Sequence, residues 1–251
     1  MVSLSPATTE AVAAVGAERE LVGRSRYCDY PPSVSAVPVV GGYTDPNLEA
    51  IVALGPTLVV GVEGPPAVKM TEALEPRGIS VYLPSVESVA AVSMMLREVG
   101  VRSGHAEGGE KAARALQEDI ARVEKEFAGT HSERVLLLYG VNPLVAAGKG
   151  SFGDEMLVLA HAKNVITAGG AYPSIDAERV LVMDPDVIIN AAFGESATAA
   201  VLDPKTSLGA RVRAVKTGRV VNVTDERVLR PGPRLAEGLR VLAESIHGPR
   251  K

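Results

Sequence analysis

Two segments of this chain share one pattern. Asn47-Leu48-Glu49-Ala50-Ile51-Val52-Ala53-Leu54-Gly55-Pro56-Thr57-Leu58-Val59-Val60 returns as Asp176-Ala177-Glu178-Arg179-Val180-Leu181-Val182-Met183-Asp184-Pro185-Asp186-Val187-Ile188-Ile189. The offset is a constant 129 residues, from Asn47 to Asp176 and from Leu58 to Val187, without a gap. Each copy has a capping residue, a Glu in the first turn of a short helix, a Pro, and then an aliphatic strand. A chain of 251 residues holds one or two domains at roughly 150 residues each. The duplication selects two related lobes, expected at residues 1–103 and 129–251.

The segments around the repeat alternate in type. Val2-Ser3-Leu4 reads as a strand that runs into a helix capped by Ser5 with Pro6 at its first position. Gly16 is expected to end that helix. Leu58–Gly61, Ile79–Leu83, Val135–Tyr139, Val187–Ile189 and Val220–Val223 read as buried strands. Ser151 can cap a helix containing Met156, Leu157 and Leu159, and a last helix is expected over 234–246. Strands alternating with helices imply mostly parallel sheets in an α/β fold. Residues 104–128 differ, because Ala112, Leu116, Ile120, Val123 and Phe127 recur at helical spacing between charged residues. At 1.5 Å per residue this helix is roughly 35 Å long. The expected architecture is therefore two Rossmann-like α/β lobes joined by one long backbone helix.

Charge and motif content narrow the function. The formal net charge of −4 provides no strong positive field for nucleic acid or anionic lipid. No stretch reaches the roughly 18–20 apolar residues of a membrane span. The single Cys28 excludes an internal disulfide and a multi-cysteine metal cluster. His105, His131, His161 and His247 fall in no ligand spacing, so no metal site is expected. Gly148-Lys149-Gly150-Ser151 has only half of a phosphate loop. No Gly-x-Ser-x-Gly elbow occurs, and no carboxylate pair stands out as a dyad, so no catalytic residue is named. The chain opens inside its first strand, and an upstream targeting segment is expected to precede Met1.

Aromatic loops stand where the strands should end. Arg26-Tyr27-Cys28-Asp29-Tyr30-Pro31-Pro32 holds two of the six tyrosines. Tyr43, in Gly41-Gly42-Tyr43-Thr44-Asp45-Pro46, and Tyr172, in Gly169-Gly170-Ala171-Tyr172-Pro173, occupy equivalent places ahead of the two repeat helices. If the lobes face each other, one ring lies on each wall of a cleft, which suits a large, partly apolar ligand.

Ser5-Pro6-Ala7-Thr8-Thr9-Glu10, Tyr27-Cys28-Asp29-Tyr30-Pro31-Pro32, Asn47–Leu54 and Pro231-Gly232-Pro233-Arg234-Leu235 resemble the helical-backbone substrate-binding proteins of ABC importers over essentially the whole chain. The tyrosine loop is most similar to the cobalamin-binding branch. The resemblance implies a ligand cleft between lobes, with Tyr27 and Tyr30 on its rim. It places Tyr43 and Tyr172 where cobalamin binders commonly carry tryptophan, and this chain has no Trp. It gives ligand specificity to the tyrosine loop and to Gly140-Val141-Asn142-Pro143, hence a ligand contact at Asn142, and puts Val145 where the family can carry a large aromatic. It also implies that Glu49 and Glu178 pair with arginines on a permease dimer, whereas the residues alone explain each Glu as a helix-start carboxylate.

The expected function is that of an extracytoplasmic, periplasmic binding protein, not an enzyme. It would be a monomer when free and would use no cofactor, with cobalamin or a related corrinoid as its cargo. A ferric siderophore or haem is the alternative ligand, and Arg227 and Arg230 are the basic candidates for an anion. A cytosolic α/β enzyme is the alternative class.

Overall fold

The computed structural model describes residues 1–64, 67–192 and 199–250. Contacts divide the chain into two units, Met1–Glu118 with Pro231–Pro233, and Asp119–Arg230 with Arg234–Lys251. The division falls inside the long helix rather than at either of its ends.

In the first unit, β1 (Val2–Ser3) leads into α1 (Pro6–Ala14), then β2 (Gly23–Arg24), α2 (Leu48–Ala53), β3 (Leu58–Val60), α3 (Ala67–Leu74), β4 (Ser80–Tyr82), α4 (Val89–Arg102) and α5 (Ala106–Phe127). The strands pair in the order β2-β1-β3-β4, all parallel. Leu58, Val59 and Val60 are all buried, as expected of a strand covered on both faces. Ser5 caps α1, its hydroxyl accepting from the Thr8 amide, and Pro6 stands in the first turn. Residues 7–12 are buried nearly all round the helix, and the small side chains of Ala7, Thr8, Thr9 and Ala11 let α1 lie close to its neighbours.

The second unit repeats this plan and adds to it. Its elements are β5 (Arg134–Val141), β6 (Leu144–Ala146), α6 (Phe152–Leu159), β7 (Lys163–Asn164), β8 (Ser174–Ile175), α7 (Ala177–Met183), β9 (Val187–Asn190), α8 (Arg213–Lys216), β10 (Val220–Asn222) and α9 (Leu235–His247). The parallel path β7-β5-β9-β10 has the strand order of the first unit. The addition is antiparallel, with β6 folding back on β5 and β8 pairing with β6.

The duplicated segment holds in three dimensions. Asn47 and Asp176 cap α2 and α7 through their side chains. The equivalent Ile51 and Val180 are fully buried. Gly55 and Asp184 both turn left-handed after the helix, at φ 57° and 39°. That conformation is unfavourable for a residue with a Cβ. Asp184 has a use for it, since its carboxylate accepts from the Arg213 amide and guanidinium, both at 2.9 Å.

Helix α5 buries Ala113, Leu116, Ile120, Val123 and Phe127. The expected stripe began at Ala112, but Ala113 takes the core position and Ala112 is half-buried. The helix is seated at its start by Gly108, where a Cβ would lie 2.0 Å from the Val15 carbonyl oxygen. Among the described residues no helix is long and apolar enough to cross a membrane.

An ion-pair cluster closes the amino-terminal edge of the second sheet. Arg213 Nη1 donates to Asp186 Oδ1 at 2.7 Å, and the Arg134 amide donates to Asp186 Oδ2 at 3.0 Å. Burial alone would raise the Asp186 pKa, but these donors outweigh it and hold the carboxyl below its ordinary value. A depressed carboxylate stabilises the fold above its unfolded pKa of about 3.9, and that stabilisation is lost as pH falls through the lower folded value. Arg213→Ala is therefore expected to lower the melting temperature at pH 7 and to matter much less at an acid pH below that lowered folded value. Circular dichroism melts at the two pH values check this. An equal loss at both would assign Arg213 to packing.

Candidate ligand-binding site

In the first sheet the chain path reverses at β1, which lies between β2 and β3. The carboxyl ends of strands at such a switch point are where open α/β sheets place ligands. The tyrosine loop follows β2 at this edge. Tyr27 and Tyr30 are exposed, and Cys28 between them is buried. Burial pushes the Cys28 thiol pKa up, although a hydrogen bond with Thr9 opposes this. Below the loop, Ser3 and Thr8 hydroxyls lie 2.9 Å apart, Ser5 and Thr8 hydroxyls 2.8 Å, and Thr9 bonds Ser3 at 2.8 Å. The loop is pinned by Arg24, whose guanidinium donates to the carbonyls of Ser25, Cys28 and Ser35 at 3.0–3.2 Å.

Tyr43 belongs to the same edge. Its hydroxyl donates to the Glu63 carbonyl at 2.8 Å, beyond the end of β3. Gly64 makes room for it, since a Cβ there would lie 2.0 Å from the Tyr43 oxygen. Burial, helped by the Glu63 charge, pushes the Tyr43 phenol pKa up. The loops carrying Tyr27 and Tyr43 are linked by Arg26 and Asp45, whose side chains meet at 2.9 and 2.8 Å.

In the second unit Tyr172 is exposed and meets Tyr139 edge-on, with ring centroids 5.4 Å apart at 73°. Tyr139 directly follows Leu138, the last β5 residue paired with β9, so the two rings stand at the equivalent carboxyl edge. The Tyr172 loop is held by the Gly148 amide on the Ala171 carbonyl at 2.8 Å and the Ala146 amide on the Pro173 carbonyl at 3.1 Å. Asn142 is not beside Tyr172. It lies in the exposed turn between β5 and β6, and antiparallel pairing of Leu144 with Ile175 puts that turn at the other end of the β6–β8 ladder. Val145 is half-buried within β6.

Sequence reasoning missed Tyr139 as a partner for Tyr172. It also missed Asn190 and Asn222, the last residues of β9 and β10, which share an amide hydrogen bond of 2.8 Å. Their one signal was a polar residue closing an aliphatic strand.

Arg227, a candidate for binding an anion, is engaged by carboxylates of its own chain. Its Nε donates to Asp225 Oδ1 at 2.8 Å, and its guanidinium also pairs with Glu237 at the start of α9. These bonds raise the Arg227 pKa further, Asp225 first, and hold the Asp225 carboxyl below its ordinary value. Arg227 lines a shallow cavity of about 310 Å³ with residues of α5 and α9. Arg230 pairs with Glu226.

Glu49 and Glu178 are exposed in the first turns of α2 and α7. His105, His161 and His247 bond the carbonyls of Ser103, Glu124 and Ala160. Among the described residues no group of three His, Cys, Asp or Glu side chains is placed to hold a metal.

The two α/β units share one strand order and carry aromatic loops at their carboxyl edges. Residues 1–226 match the periplasmic binding protein family, and the chain belongs to it. It is 35% identical over 190 residues to the vitamin B12-binding protein of Salmonella paratyphi A, covering 75% of this chain and 71% of that one. It is 29% identical to YvrC, an uncharacterized ABC transporter substrate-binding lipoprotein of Bacillus subtilis, over 98% of this chain and 79% of that one. Among solved structures, the periplasmic heme-binding protein RhuT of Roseiflexus sp. RS-1, in its apo form, superposes with a TM-score of 0.84. The identity there is 26%, over 98% of this chain and 97% of that one.

Proposed function

We propose that this chain is the substrate-binding component of an ABC importer, that it works outside the cytoplasm as a monomer, and that its cargo is cobalamin or a related corrinoid. The reading rests on Tyr43 and Tyr172, repeat-related tyrosines each fixed at the carboxyl edge of its own unit by a specific contact. Aromatic faces there supply apolar area at low entropic cost. Tyr27 and Tyr30 contribute further contacts from the pinned loop, and Asn142 an amide at the hairpin tip. Glu49 and Glu178 dock the loaded protein on the permease.

Two observations favour a corrinoid over haem or an anionic siderophore. The guanidiniums of Arg26 and Arg227 already face carboxylates, so neither calls for an anionic ligand. The Tyr43 hydroxyl is committed as a donor to Glu63 and is harder to ionise than an ordinary phenol, which makes it a poor phenolate ligand for ferric iron. Haem is kept as a second reading because of the heme-binding structural neighbour. Gel filtration of the chain with excess cyanocobalamin, and separately with hemin, tests the choice. Corrinoid absorbance eluting with the protein at one equivalent is expected. Hemin alone co-eluting would reverse the assignment.

A further inference from the structure

Arg26 and Asp45 stand in different loops, one after β2 and one before α2. Their side chains form a two-point fork, Nη1 to Oδ1 at 2.9 Å and Nη2 to Oδ2 at 2.8 Å. The pair lies over the backbone of Gly42, where a Cβ would come 2.3 Å from both Arg26 Nη1 and Asp45 Oδ1. A side chain at that position would force the fork apart. The guanidinium carbon is also 5.7 Å from the centroid of the Tyr27 ring, and Asp45 is two residues from Tyr43.

Folding stability does not account for this arrangement. The side chains are 44% and 61% exposed, and ion pairs that wet contribute little. The loops are already tied by backbone bonds, Arg26 N to the Gly41 carbonyl and Val40 N to the Arg24 carbonyl. What the pair does change is the charge met by anything that settles on Tyr27 and Tyr43.

We infer that the Arg26–Asp45 pair is a charge filter, admitting a ligand whose nearby edge is uncharged, such as the amide side chains of a corrinoid, and rejecting one with a carboxylate there, such as haem. The inference rests on the assignment of Tyr27 and Tyr43 to the ligand site. A ligand that covers the pair excludes water, and the local charges then act more strongly. An arriving carboxylate finds the Arg26 fork taken and meets the like charge of Asp45, which is disfavoured. An amide can donate to Asp45 and so avoids that repulsion.

Titration of hemin and cyanocobalamin into the wild type, Asp45→Asn and Arg26→Gln tests the filter. Thermal melts show whether each variant is folded. Asp45→Asn is expected to tighten hemin binding about tenfold or more at low salt, the order of a close charge interaction. Most of that gain should vanish at about 0.5 M salt. Arg26→Gln should bind hemin more weakly than the wild type. Equal hemin affinity in all three folded proteins overturns the filter, whether or not cobalamin binds. The expected hemin order with no cobalamin binding to the wild type would uphold the filter and remove the corrinoid reading instead.

Discussion

Glu49→Ala combined with Glu178→Ala is expected to leave ligand affinity nearly unchanged and to abolish most transport by the cognate importer. Both residues are exposed, in the first turns of helices of six and seven residues. Within the protein each is worth a few tenths to about 1 kcal/mol against its helix dipole, and the caps are made by Asn47 and Asp176 instead. An arginine on the permease would offer each carboxylate a two-point, charge-assisted bond. Truncating one partner of such a pair, once desolvated, costs about 2–5 kcal/mol. Two independent contacts add, so the double variant should fall well below either single. Ligand-stimulated ATP hydrolysis by the importer in liposomes reads this directly. Stimulation equal to wild type by the folded double variant would leave both residues as ordinary helix-start carboxylates.

Tyr43→Ala and Tyr172→Ala are each expected to weaken ligand binding by about 1–3 kcal/mol, the scale of losing an aromatic anchor. The two sites belong to different units, so their effects should sum in the double variant. Tyr43→Phe separates ring from hydroxyl. It keeps the face and loses only the bond to the Glu63 carbonyl, a net effect of about 0.5–1.5 kcal/mol. Tyr172→Ala additionally removes the edge contact that Tyr139 makes. Affinities measured by calorimetry check the series. Full affinity in the double alanine variant would place the ligand elsewhere.

Local rules acting at short range made much of this structure readable. The Pro56 and Pro185 breaks, the caps at Asn47 and Asp176 and the aliphatic strands after them marked the duplication. The strand orders β2-β1-β3-β4 and β7-β5-β9-β10 reproduce it in the folded chain. Helix α5 was legible because one apolar stripe runs between charged faces. Helix α4 was not, since its buried residues Val92, Ser93, Met95, Leu96, Val99 and Gly100 mix polar with apolar, while Met94 and Val101 are exposed. The β6–β8 ladder was hidden too. Its strands have three and two residues, too few to show a period, and tertiary pairing alone sets their register.

The candidate site divides along the same line. The equivalence of Tyr43 and Tyr172 is a matter of counting residues. The Tyr139–Tyr172 contact depends on the hairpin that brings residue 146 beside residue 173. Arg227 looked available because its neighbour Glu237 is on another element, brought close where α9 packs on the Arg227 backbone. A Cβ at Gly238 would lie 2.0 Å from the Arg227 carbonyl oxygen. Arg26 and Asp45 are nineteen residues apart, and only the folded loops set them face to face.

Isothermal titration of the wild-type chain with cyanocobalamin decides whether a corrinoid is its cargo. Saturable heat at one ligand per protein is expected, with a matching rise in melting temperature. No heat and no thermal shift at saturating cyanocobalamin would contradict it.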